Sequence, residues 1–393
     1  METSLASAGS TSLSSTQTTE SGVRRLSELD ALRGMAALSV VFWHFFCGTY
    51  TSLPAAKTVY WVSRAEGAVL LFFILSGFVL SLPFEREPSP TYLAFAIRRI
   101  CRIYLPYLAG IALSILVITF VATSKIPQLS PWFNMTCGVP FNGRIALEHL
   151  FLIGNIHSNT YNNAIWSLIQ EMRVSLVFPL LFWVVSRNKV VTNLAFCAAL
   201  SGFSVMAMRL NLETSNGHQT GYSFTPHIAS LFIIGILLAR SRHDLVAWYR
   251  QIPAAVKWLV LLFALALYRA SMELPAPFLR DYGCACAAVV FIVSALGSNR
   301  LSTILRSPVL TFLGNVSYAM YLNHLTVLFF VLSLGFPALS FWSLGLAFVA
   351  LTLLISLPFW KYIERPCISL GRVLVRRFSS HPLGDGASSG NRG

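Results

Sequence analysis

Residues 29–48 read LDALRGMAALSVVFWHFFCG. At 1.5 Å of helical rise per residue, a run of this length covers about 30 Å, the thickness of a bilayer's hydrocarbon core. Its ionisable groups are Asp30 and Arg33 near one end and His44 towards the other. Similar apolar runs recur at about 65–84, 101–123, 164–186, 190–209, 226–239, 254–270, 281–298, 308–333 and 338–359, with 226–239 the shortest. The composition agrees: 393 residues, 55% hydrophobic and 11% charged, with a mean hydropathy of +0.65. That excludes an ordinary soluble enzyme and a disordered chain. The expected fold is an all-α polytopic integral membrane protein of about ten transmembrane helices.

The charge is lopsided, 29 Lys+Arg against 15 Asp+Glu, for a net +14 and a pI near 9.8. A nucleic-acid binder concentrates such charge on a polar domain. No such domain is present, so the expected partner is the lipid bilayer and not nucleic acid. On the map of spans, 21 basic residues fall on the N-terminal side, seven on the other, and Arg173 inside a span. Translocation disfavours short basic loops on the outer side. Both termini are therefore expected in the cytoplasm, with the chain in the plasma (inner) membrane.

The first 21 residues hold 12 Ser or Thr and lack the basic start and apolar run of a signal peptide. Residues 1–27 are expected to form a disordered cytoplasmic tail, 28–372 the membrane domain and 373–393 a second disordered cytoplasmic tail. The polar stretch 123–163 faces outside, and its short apolar piece 145–153 is expected to be interfacial or re-entrant. That stretch and residues 210–225 are the surfaces expected to set specificity. Seven cysteines, mostly inside spans, give neither a disulfide framework nor a zinc spacing, so no metal is expected.

Ionisable residues in hydrocarbon are costly and mark function by default. Those well within spans are His44, Glu171, Arg173 and His324. Arg33 and His44 are eleven residues apart, close to three turns, so both project from one helix face about 16 Å apart. They could line one cavity, or be an interfacial Arg and a core His. Helical rise puts Glu171 about 10 Å and His44 about 7 Å below the outer surface. A carboxylate at that depth could orient the imidazole as a general base, or could pair with an Arg for structure alone. Arg173, two residues on, faces elsewhere. Arg98 and Arg102, four apart with Arg99 between, could clamp a phosphate or simply anchor the chain's orientation. Ser317, Tyr318, Tyr321 and His324 form a polar stripe in the ninth span, either a helix seam or a cavity wall.

In order along the chain, these blocks resemble the membrane-bound acyltransferase 3 family. The resemblance rests on LDALRGMAA at 29–37 with His44, LFFILSGFVL at 71–80, and RRICRIYLP at 98–106. It continues through Trp166-Ser167-Leu168 with Glu171 and Pro179, GNVSYAMYLNH at 314–324, and Ile363-Glu364-Arg365-Pro366. The family is similar in having about ten spans.

The resemblance implies an acyltransferase that takes an acyl group, usually acetyl from acetyl-CoA as co-substrate, and places it on a hydroxyl of a carbohydrate acceptor such as a cell-surface glycan. By position, His44 would be catalytic with Arg33 its motif partner and Glu171 beside it. Arg98, Arg99 and Arg102 would hold coenzyme A phosphates, and Trp166, Ser167, Ser317, Tyr318 and His324 would shape the site. The form expected is the stand-alone one, without an appended hydrolase-like domain. In the chemistry expected, His44 removes the hydroxyl proton, and Ser167, Trp166 or Tyr318 are candidate donors to the negative intermediate. An acyl-histidine is the covalent alternative. A rival class is a proton-coupled exporter using His44 and Glu171 as a relay.

Overall fold

The structure is a computed structural model that describes residues 26–50 and 64–379. Among them, ten helices are long and apolar enough to cross a membrane: α1 (Ser27–Thr49), α2 (Ala65–Phe84), α3 (Tyr92–Phe120), α4 (Asn163–Arg187), α5 (Val190–Arg209), α6 (Tyr222–Arg240), α7 (Ala254–Ser271), α8 (Pro277–Gly297), α9 (Pro308–Gly335) and α10 (Phe341–Phe378). No strand occurs among the described residues. The chain is thus an all-α, multi-pass membrane protein. The face that carries Ser27 is called the N-terminal face below.

α9 is the most buried helix and α7 the most exposed to the surroundings. α9 packs along α1, and small residues set how closely. A Cβ on Gly34 would stand 2.6 Å from the backbone N of Gly314, so neither position tolerates a side chain without moving a helix. In lipid, where apolar surface gives no drive for helices to associate, such close backbone approach is what packs them.

Three of these helices contain a π turn: His44–Thr49 in α1, Ile100–Tyr104 in α3 and Trp360–Glu364 in α10. A π turn closes i to i+5 hydrogen bonds and shifts the register of everything beyond it. Thr49 ties off the first by donating from Oγ1 to the His44 carbonyl at 2.8 Å.

Three helices exceed their expected lengths most. α3 begins at Tyr92 instead of 101, α6 covers Tyr222–Arg240 instead of 226–239, and α10 runs to Phe378 instead of 359. The apolar runs stop at charged residues, whereas the backbone keeps its helical bonds into the polar boundary. The terminal helix Arg365–Ser379 also corrects the expected end of the folded part at 372. Of the expected tails, residues 1–25 and 380–393 lie outside the described residues. The stretch 145–153 holds the end of a short helix, Gly143–Glu148, with Leu147, Leu150 and Phe151 exposed.

Candidate active site

Inside the bundle a cavity is walled by α1, α2, α3, α4 and α9. Three guanidinium groups, those of Arg33, Arg99 and Arg102, reach it, with Glu171 the carboxylate among the lining residues. Arg99 is buried and committed. Its Nη2 donates to Glu171 Oε1 at 2.8 Å and to Ser175 Oγ at 2.8 Å. Ser76 Oγ donates to the same carboxylate oxygen at 3.0 Å. Arg33 has Asp30 at 3.8 Å, and Arg102 makes no side-chain hydrogen bond among the described residues. The cavity therefore offers Arg102 without an ion pair among the described residues and Arg33 paired only at long range with Asp30, beside a third cation, Arg99, that Glu171 neutralises.

Ser317, Tyr318, Tyr321 and Ser167 complete the polar lining. Ser317 spends its hydroxyl proton on Gly314 O at 2.9 Å and Tyr318 on Ile103 O, inside the second π turn, at 2.8 Å. Tyr321 donates to Ala164 O at 3.0 Å, and its oxygen lies 2.6 Å from Ser167 Oγ. The Tyr321–Ser167 contact forms part of the cavity wall.

Beyond Tyr321 stand two buried imidazoles. His44 Nδ1 is 2.9 Å from Val40 O and 3.3 Å from His324 Nε2. His324 Nδ1 is 2.6 Å from Tyr321 O. A carbonyl only accepts, so each Nδ1 must carry its proton. His324 Nε2 is then an acceptor towards His44, and His44 Nε2 keeps its lone pair, with no hydrogen bond among the described residues. Trp43 and Trp132 pack on the His44 ring at centroid distances of 5.1 and 5.2 Å. The indole Nε1 of Trp43 is buried without an acceptor.

Of the residues singled out from sequence, Arg33, Arg99, Arg102, Ser167, Glu171, Ser317 and Tyr318 share the cavity. His44 and His324 are paired with each other. Glu171 does not orient His44; it neutralises Arg99. Arg98 does not join Arg102 in the cavity. It is exposed, with its Cα against Gly371 of the terminal helix. The π turn that starts at Ile100 adds a residue between them, so four-residue spacing no longer means one face. Trp166 lies outside the cavity lining, packed edge-on to Phe73 and His218.

Arg173 acts as a staple. Its guanidinium donates to the carbonyls of Ile153, Gly154, Thr220 and Gly221 and to Thr225 Oγ1, joining two loops on the face opposite the N-terminal one. Spacing carries no sign of this role. Trp132 and His218 also escaped notice, because one lies in a single helical turn, Pro131–Asn134, and the other in a loop, both far in sequence from the helices they touch.

A membrane-embedded bundle with a cationic cavity next to a tautomer-fixed histidine pair has the parts of a group-transfer enzyme. The description of the acyltransferase domain matches residues 26–361, and the chain belongs to this acyltransferase 3 family. It is an acyltransferase. It is 28% identical over 381 residues to Acyltransferase MdmB of Streptomyces mycarofaciens, covering 90% of this chain and 94% of that protein. It is 23% identical over 362 residues to Nodulation protein 10 of Rhizobium leguminosarum bv. viciae, covering 88% and 95%. No solved structure matches it.

Proposed function

We propose that the protein moves an acyl group, acetyl in the simplest case, from acyl-CoA at the cytoplasmic side to a hydroxyl of a carbohydrate at the outer side, with His44 as general base. The observation that carries this reading is the free Nε2 of His44, left as a lone pair by two carbonyl-fixed tautomers.

In this mechanism Arg33 and Arg102 hold the phosphates of the donor, because guanidinium groups give paired, charge-assisted hydrogen bonds to phosphate oxygens. Arg99, already neutralised by Glu171, holds the cavity's shape. The helical rise from Arg33 to His44 is about 16 Å, a gap for the flexible pantetheine arm to cross past Tyr321. A sugar hydroxyl attacks a thioester poorly while it keeps its proton. His44 Nε2 takes that proton as the oxygen–carbon bond forms. The carbon–sulfur bond then breaks, and the coenzyme A thiolate leaves with the proton returned by His44. His324 Nε2, the acceptor beside His44 Nδ1, holds the ring in place throughout.

The negative tetrahedral intermediate needs donors. Tyr318 has already spent its proton on Ile103 O, and Ser167 lies against Tyr321. Trp43, whose buried N–H lacks an acceptor beside His44, suits the task better than either.

The test is transfer by purified protein from labelled acetyl-CoA to glycosides. The wild type should esterify them and His44→Ala should not. Label retained on the protein without acceptor would replace direct transfer with an acyl-histidine step. Normal transfer by His44→Ala would remove the assignment.

A further inference from the structure

On the face opposite the N-terminal one, the loop 210–221 brings His218 over Trp166, ring centroids 5.5 Å apart and edge to face. His218 is exposed, and its side chain makes no hydrogen bond among the described residues. Gln219 beside it has φ +50°, a left-handed conformation that side chains rarely adopt and that persists where surrounding bonds enforce it. Here they do. Gln170 Nε2 donates to Gln219 O at 2.8 Å, and Arg173 holds the next two carbonyls.

The amide oxygens of Gln219 and of Asn163, one turn before Trp166, are both buried and both lack a donor. An enclosed acceptor without a partner is costly, because it gives up its bonds to water and gains none in return. Asn163 lies three residues before Trp166 and Gln219 directly follows His218, so the two acceptors flank in sequence a pair of rings that touch each other, a set short of O–H donors. A ligand rich in hydroxyl groups, with an apolar ring face to lie against indole, supplies what is missing.

We propose that Asn163, Trp166, His218 and Gln219 form the acceptor subsite, binding a sugar ring whose reacting hydroxyl is directed to His44. This rests on the acyl-transfer reading above and adds the residues that choose the acceptor. The loop conformation, held by Gln170 and Arg173, is then what presents His218 to the incoming ring.

The experiment uses two nucleophiles with the purified full-length protein and acetyl-CoA. Hydroxylamine is too small to need a ring-binding subsite, whereas methyl glycosides of glucose, galactose, rhamnose and N-acetylglucosamine need one. His218→Ala and Gln219→Gly should each lower glycoside transfer at least tenfold more than hydroxylamine acylation, mainly through a higher KM for the glycoside. His218→Phe, which retains an aromatic ring over Trp166, should fail in the same way. An equal change with both nucleophiles, or no change with either, overturns the subsite. Wild type that acylates hydroxylamine but none of the glycosides overturns the sugar ring as its occupant. Wild type that acylates neither refutes the acyl-transfer reading itself, and the subsite with it.

Discussion

His324 Nε2 stands 3.3 Å from His44 Nδ1, and each ring's Nδ1 faces a backbone carbonyl of its own helix. The pair crosses from α9 to α1 and is buried. Because both tautomers are fixed by carbonyls, one nitrogen of the four, His44 Nε2, has no assigned partner. His44→Ala should lower transfer by roughly 10²–10⁴-fold, the usual worth of a general base. His324→Ala should lower it about tenfold or more, and the double variant no further than His44→Ala alone, since groups acting as a unit are not additive. The acid limb of the pH–rate profile should vanish with His44. Multiplicative losses in the double variant would show that the two rings act separately.

Trp43→Phe keeps the ring against His44 and removes the N–H. If that N–H meets the oxyanion, kcat should fall by about 10²-fold with KM for acetyl-CoA nearly constant. A change confined to KM would place Trp43 in binding instead.

The cavity arginines should separate by assay. Arg102→Ala and Arg33→Ala should raise KM for acetyl-CoA by tenfold or more. Arg99→Ala strands the partly buried Glu171 carboxylate and should destabilise the fold, read as a fall in Tm in detergent. Arg99→Ala combined with Glu171→Gln should recover part of that loss.

Gly34→Ala places a methyl group 2.6 Å from the Gly314 backbone. Overpacking of this kind costs about 1–3 kcal/mol. Tm and yield of folded protein should both fall, more steeply for Gly34→Val.

The expected orientation is open to chemical labelling. In a cysteine-free background, Asn216→Cys should react with a membrane-impermeant maleimide in intact cells, and Lys189→Cys only after permeabilisation. The reverse pattern would invert the bundle.

Much of the fold was legible because a bilayer demands long apolar runs and punishes every charge inside them. That Arg33, Arg102, Glu171, Ser317 and Tyr318 belong to one site was implied by the family resemblance, and the structure gathers them round one cavity. What failed was direction around the helix axis. Rise per residue gives depth, so Glu171 and His44 could be placed near one level, yet nothing in spacing says that Glu171 turns to Arg99. The Arg98–Arg102 clamp failed for a related reason, since a π turn leaves no mark in a pattern read at 3.6 residues per turn. His218, in a loop, and Trp132, in a single helical turn, carried no periodicity to read.

The π turns at His44–Thr49, Ile100–Tyr104 and Trp360–Glu364 have a genetic counterpart. A helix acquires such a turn when one codon is inserted and the surrounding contacts refuse to rotate. Removing a single residue just after Gly48 should therefore restore a regular helix without unseating it from the membrane, while turning His44 by about 100° relative to the segment beyond. In these helices the reading frame of the side chains, and not their identity alone, is what evolution would have had to change to gain or lose the site.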